Sequence, residues 1–253
     1  MIQSFWRQIW RGKSIVRASM NVALARLPLF DGALLDIGGT QVPRPSYRDY
    51  IRIGSTAEVK TLNIDAASEP DFVADAAHIP CPDGSFDHAW CLNVLEHVPD
   101  PVAILKEALR VVKPGGRLVV FTPFLVAVHG HPDDYARYTE TALRRMAADA
   151  GWCIQEVRAI EVGPWTTAST FIQSSVPRII YFLLAYCATG LDDVWRWFHR
   201  SAVTIRPLGY LLCCQKDVGQ KSTQQDPAVS ADPLEAAIDR YCTLQSHRPG
   251  YAV

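Results

Sequence analysis

From residue 33 onward, short apolar runs alternate with stretches of helical period. The runs ALLDIG, VKTLNID, DFVAD, FDHAWCLN, GRLVVFTP, CIQEVRAI and GYLLCCQK are rich in Val, Ile and Leu, so each reads as a buried strand. Between the fourth and fifth, Asp100 to Lys113 reads as a helix. Asp100 is its N-cap, Pro101 takes the first position, and Ile104, Leu105, Ala108, Leu109 and Val112 form the apolar stripe. Pro114-Gly115-Gly116 is expected to stop it. A second helix is expected from Thr139 to Gly151, with Leu143 and Met146 inward. Strands alternating with helices predict an α/β fold: a doubly wound, mostly parallel sheet covered on both faces.

Two flanking patterns differ from this rhythm. Residues 2–27 read as one or two helices, with Ile2, Phe5, Trp6 and Ile9, then Val16, Met20, Ala23 and Leu27, at helical spacing. The segment carries Arg7, Arg11, Lys13, Arg17 and Arg26 and no acid before Asp31. It fits a helix lying on an anionic membrane or a helix capping the domain. Residues 161–205, before the last strand, form an apolar, aromatic insertion with Trp165, Phe171, Ile179, Ile180, Phe182, Leu183, Leu184, Trp195, Trp197 and Phe198. It fits a substrate lid, a bilayer contact or a pair of core helices. The domains expected are thus a helical segment over 1–30, the sheet domain over 31–160 with 206–216, the insertion, and a polar linker with a C-terminal helix over 217–253.

Charge and cysteine content narrow the classes. Lys+Arg 25 against Asp+Glu 26 is balanced, which argues against a nucleic-acid partner. The seven cysteines include no CxxC pair, so reduced thiols and a cytoplasmic setting are expected. Arginines and a lysine interrupt the N-terminal apolar pattern, unlike a signal peptide, and the run Ile179 to Leu191 is too short for the ~20 residues of a membrane span. A peripheral membrane contact remains compatible with both.

In open parallel sheets, ligands bind beyond the carboxyl ends of the strands. Those ends hold Asp36, Gly38 and Gly39, then Asp65, then Asp75-Ala76, then Asn93. Glycine admits close backbone approach, and a carboxylate can hold an ammonium, a ribose diol or an adenine amino group.

The segments DIGG, LNID, VADAAHIPCPDGSFDHAWCLNVLEHVPDP and LKEALRVVKPGGRLVVFTP resemble the class I S-adenosylmethionine-dependent methyltransferases, in the type 11 group that includes ubiquinone and menaquinone methylases. The resemblance covers about residues 33 to 160. It implies a Rossmann-like seven-stranded sheet with an antiparallel last strand, and S-adenosylmethionine as cofactor. It places Asp36, Gly38 and Gly39 at the methionine end, Asp65 at the ribose, Asp75 and Ala76 at the adenine, and Asn93 beneath the sulfonium. Glu96 and His97 match the pattern but open a helix and read as structural. The family's D-x-G-x-G-x-G loop is shortened here to Asp36-Ile37-Gly38-Gly39, and Pro43 and Pro45 bar a helix directly behind it. A helix is expected from Ser46, with Tyr47, Tyr50 and Ile51 inward and Tyr47 or Arg48 folding back to help the loop.

After the fifth strand, TPFLVAVHGHPDDYARYTE resembles the family's substrate side, with Asp134, Tyr135 and Arg137 facing the acceptor. Methyl transfer to a hydroxyl needs an aligned nucleophile and a base, for which His131 comes first and His129 second. Asp134 and Arg137 also fit a loop-shaping pair, with Thr139 as helix cap. The alternation of His129, His131 and Asp133 raises a metal reading, but ligands from other strands would be wanted, so no metal is expected. The function expected is methyl transfer, at oxygen, to a small-molecule, glycan or lipid-linked acceptor. The other reading is a non-catalytic protein that keeps the fold as a binding partner or scaffold.

Overall fold

A computed structural model describes residues 2–130, 133–198 and 206–218. The C-terminal helix expected from about Pro233, the first-choice base His131 and Cys242 lie outside the described residues. Seven strands form one sheet: β1 (Ala33–Ile37), β2 (Glu58–Asn63), β3 (Phe72–Val73), β4 (Phe86–Leu92), β5 (Val112–Pro123), β6 (Cys153–Glu161) and β7 (Pro207–Gln215). Their order is β3-β2-β1-β4-β5-β7-β6. The first five run parallel, and β7 runs antiparallel to both β5 and β6. The mostly parallel sheet expected from the alternating pattern is present, with the Rossmann-like topology and antiparallel last strand that the resemblance implied. The chain reverses direction across the sheet between β1 and β4, which is where such folds place ligands.

Alternate strand residues serve opposite faces, as the pleat requires. Leu35, Ile37, Ala89, Cys91, Leu118 and Val120 pack on one face with Ile104, Leu105 and Ala108 of helix α3 (Pro101–Val111) and Ala147 of helix α4 (Glu140–Asp149). Leu34, Trp90, Leu92, Val119 and Phe121 pack on the other, beneath Met20, Ala23 and Leu24. Each fully buried large apolar side chain contributes roughly 1.5–3 kcal/mol. For naming in chain order, the N-terminal pair is α1 (Ile2–Trp10) and α2 (Ile15–Leu24), the latter capped by the Ser14 side chain. The segment is therefore two helices, and α2 covers the sheet. Helix α1 joins α2 and the insertion through Ile9, Ile15, Tyr181 and Ala185.

Two local expectations are corrected. Helix α3 keeps its Asp100 cap (3.1 Å to the Ala103 amide) but ends at Val111. Val112 is extended and pairs with Phe86, so Pro114-Gly115-Gly116 lies within β5 instead of breaking a helix. Gly116 permits this because a Cβ there would stand 2.3 Å from the Asp87 carbonyl. Behind the shortened loop, Ser46–Asp49 forms one 3-10 turn and no longer helix; Tyr47 and Ile51 are buried and Tyr50 only partly.

The insertion contributes α5 (Pro164–Thr170) and the 21-residue α6 (Arg178–Phe198). Tyr181, Ala185, Ala188 and Asp192 form the buried stripe of α6 at helical spacing. Asp192 is fully buried and accepts the Trp165 and Thr166 amides (2.8 and 2.9 Å), capping α5 from another element. Gly163, the residue at the cap position, leaves room for it: a Cβ there would meet Asp192 Cγ at 2.0 Å.

Candidate functional site

The carboxyl ends of β1, β2, β4 and β5 meet in one region. The Gly38 amide donates to the Leu62 carbonyl (2.7 Å), Asn63 Nδ2 donates to the Gly38 and Gly39 carbonyls, and the Asn93 amide donates to the Phe121 carbonyl (2.9 Å). Gly38 has φ +76°, and a Cβ on it would lie 2.3 Å from Val94 Cγ2, so this turn requires glycine.

Asp36 is fully buried. The Tyr47 hydroxyl donates to its carboxylate at 2.9 Å, and Arg48 donates from Nε (3.0 Å) and Nη2 (2.8 Å). Burial pushes the Asp36 carboxyl up to about 6, because it outweighs the opposing pull of Arg48 and Tyr47. The post-loop residues do fold back, and what they reach is Asp36 itself. An incoming ammonium would have to share or displace these donors.

Asp65 and Asp75 are exposed. Each accepts one amide through Oδ1, Ala67 and Ala77 respectively, both at 2.9 Å, which leaves Oδ2 open to a ligand. Ala76 packs beside the core at the same edge. Asn93 adopts the left-handed conformation at φ 57° and borders a cavity of about 550 Å³. The cavity walls include Arg17 and Met20 from α2, Phe121 and Pro123 from β5, His129 from the following loop, and Phe171 after α5.

Sequence reasoning missed Arg17 and underrated Glu96. Arg17 lines the cavity with no ion pair among the described residues; burial lowers its pKa, while Tyr47 and Glu96 raise it. Its lack of acidic neighbours in the N-terminal sequence was the available signal. Glu96 is fully buried, and neither carboxylate oxygen has a hydrogen-bond partner. Burial pushes its carboxyl up to about 7, with its own backbone and Arg137 offsetting part of that. The loop after β5 closes over it: the Tyr135 amide donates to the Glu96 carbonyl (2.7 Å), and the Tyr138 hydroxyl donates to the Leu95 carbonyl (3.1 Å). His97, His129 and Glu96 bring one ligating atom each within 4.8 Å of one another.

Asp134 and Arg137 form an ion pair, and Asp134 also accepts the His129 amide (2.8 Å). The Arg137 guanidinium holds the Asp134 carboxyl well below the usual range. Both residues therefore shape the loop, and Thr139 caps α4 behind them (3.3 Å to the Ala142 amide). Tyr135 is exposed, with its hydroxyl 3.3 Å from Asp133.

Residues 50–120 match the model of a methyltransferase domain. A ubiquinone biosynthesis O-methyltransferase of Thiobacillus denitrificans is 33% identical over 42% of this chain and 51% of its own. The match and the relatives support reading this chain with the class I S-adenosylmethionine-dependent methyltransferases. A 2-methyl-6-phytyl-1,4-hydroquinone methyltransferase of Synechocystis is 54% identical over 19% of this chain and 15% of its own. The chain spans about half or less of the length of these curated relatives. Among solved structures, the cyclase SpnF is similar at TM-score 0.50 and 21% identity, covering 81% of this chain and 82% of its own. A chain of the Haloferax volcanii complex of the Trm112 methyltransferase activator with its partner is similar at TM-score 0.50 and 20% identity, over 84% of this chain and 97% of its own. These two support the fold.

The donor set fits the family's cofactor. The open oxygens of Asp65 and Asp75 suit a ribose diol and an adenine amino group, and Arg17 offers a cation for a carboxylate. When bound, S-adenosylmethionine supplies an electrophilic methyl group.

Proposed function

We propose that this protein transfers a methyl group from S-adenosylmethionine to a hydroxyl of a small, largely apolar acceptor. The observation that carries the reading is the cavity beside Asn93, which joins the cofactor-side strand ends to apolar walls at Met20, Phe121, Leu125 and Phe171. A transferred methyl must approach its nucleophile in line and away from water, and such walls favour both. Asp65 would take the ribose, Asp75 with Ala76 the adenine, and Asn93 the sulfonium region. Arg17 would take the methionine carboxylate, while Asp36 acts mainly through the loop it anchors with Gly38 and Gly39. His129 stands on the cavity wall and would take the acceptor's proton. Thr170, Phe171, Gln173 and Ser174 on the cavity wall support reading the described part of the insertion, 161–198, as a lid over the acceptor.

The outer face of α6 supports a lipid-linked acceptor over a glycan. Ile179, Leu183, Tyr186, Val194, Trp197 and Phe198 are exposed, and the neighbouring N-terminal segment carries Arg7, Arg11 and Lys13. No helix among the described residues is long and apolar enough to cross a membrane. A basic and aromatic surface of this kind suits peripheral contact with an anionic bilayer.

Calorimetry with S-adenosylmethionine and its demethylated product tests the reading. Binding of both is expected, weakened at least tenfold by Asp65→Ala. A folded protein that binds neither favours the second reading, a non-catalytic binding protein, for which the saturated Asp36 carboxylate is the supporting observation. Sedimentation with phosphatidylglycerol vesicles tests the surface: wild type is expected to bind and Trp197→Ser/Phe198→Ser to lose most of that binding.

A further inference from the structure

We propose that Glu96, His97 and His129 form a binding site for a divalent transition-metal ion, with Zn2+ as the archetype. His97 Nδ1 lies 2.6 Å from the Asp133 carbonyl oxygen, and His129 Nδ1 lies 3.1 Å from that of Ala127. A carbonyl only accepts, so each Nδ1 carries a proton, and in the neutral imidazole each Nε2 keeps its lone pair. His97 Nε2 lies 3.7 Å from Glu96 Oε1. With His97 neutral and Glu96 ionised, two acceptors stand side by side with no donor between them, and a bound cation relieves that conflict.

Glu96 makes the argument independent of the histidines. A fully buried carboxylate with both oxygens unpartnered is costly unless a charge or proton joins it. Among the described residues no guanidinium forms an ion pair with it, and Arg137 pairs with Asp134. The pattern of Nδ1–H to a carbonyl with Nε2 presented inward is the usual support of a metal-bound imidazole. Two imidazoles and one carboxylate suit zinc with a fourth position open. The three ligating atoms lie within 4.8 Å of one another, against roughly 3.4 Å across a tetrahedral zinc site. The exposed His129 ring can close that gap by rotating at the cavity wall.

With the ion bound, His129 would be a ligand and no longer the acceptor's base; an acceptor oxygen taking the open position would release its proton to solvent instead. Metal binding itself does not depend on the methyl-transfer reading. It is measured without cofactor or acceptor, so the two readings fail separately.

Calorimetry with Zn2+ and visible absorption with Co2+ on the full chain test the site. One equivalent is expected to bind, with Co2+ bands lacking thiolate charge transfer, and His97→Ala and His129→Ala are each expected to weaken binding at least tenfold. Cys187→Ser should leave it unchanged. His129 lies on an exposed loop, so its variant keeps the test valid if Glu96→Gln fails to fold, with circular dichroism reporting the fold. Absence of binding to wild type overturns the proposal. Binding that survives His97→Ala and His129→Ala also overturns it.

Discussion

Tyr47 donates its hydroxyl to the buried carboxylate of Asp36 at 2.9 Å, from a turn eleven residues downstream. The same carboxylate receives Arg48, so the loop between them is closed by an ion pair with almost no water around it. Removing one partner of a buried pair strands the other charge, at about 3–5 kcal/mol. Arg48→Met is expected to cost in that range and Tyr47→Phe about 1–3 kcal/mol. Urea unfolding measures both, and a smaller loss for Arg48→Met than for Tyr47→Phe would show that the hydroxyl, not the ion pair, holds the loop.

The pH dependence of this anchor has a definite sign. The Asp36 carboxyl is raised from 3.8 to about 6, mainly by burial. Its contribution to stability is therefore fully present below the unfolded value and is lost as pH rises through about 6. The shift corresponds to about 3 kcal/mol. Wild type should lose stability relative to Asp36→Asn between about pH 4 and 7, in paired unfolding curves. A stability of wild type relative to Asp36→Asn that stays flat or rises with pH contradicts this.

Gly38 is constrained twice, by φ +76° and by Val94 Cγ2. Gly38→Ala is expected to destabilise by roughly 2–4 kcal/mol. Adding Val94→Ala should recover the steric part but not the backbone part. A double-mutant cycle separates the two, and full recovery would show that the dihedral carries little strain.

Asp192 holds α5 by two amides from a buried position. Asp192→Ala is expected to cost about 2 kcal/mol, as loss of a buried cap, and Asp192→Asn less. Thermal unfolding gives the ranking. Amide exchange at Trp165 and Thr166 should accelerate in step with it.

Much of the sheet was legible because each strand is a short apolar run ended by a polar or glycine signal. Val112 shows where that signal fails: it suits a helix stripe and a strand equally, and its pairing with Phe86 decides. The cofactor edge was legible in outline, since Asp65 and Asp75 sit at strand ends whose position the alternation gives. Asp36 was legible as a strand end but not as a buried anchor, because Tyr47 and Arg48 meet it only through a turn with no fixed spacing. Glu96 was visible in LEHV, yet its lack of partners arises only when the loop at Tyr135 folds over it. No local pattern in sequence encodes that closure.

The Asp192 cap carries a mechanical consequence. Beside the Thr166–Thr189 contact, it ties α5 to α6 at a buried carboxylate, and the chain leaving α5 becomes the Thr170–Ser174 side of the cavity. A force on the outer, apolar side of α6 is thus transmitted to the cavity wall without passing through the sheet. A displacement of α6 is therefore expected to change the entrance more than the strand ends.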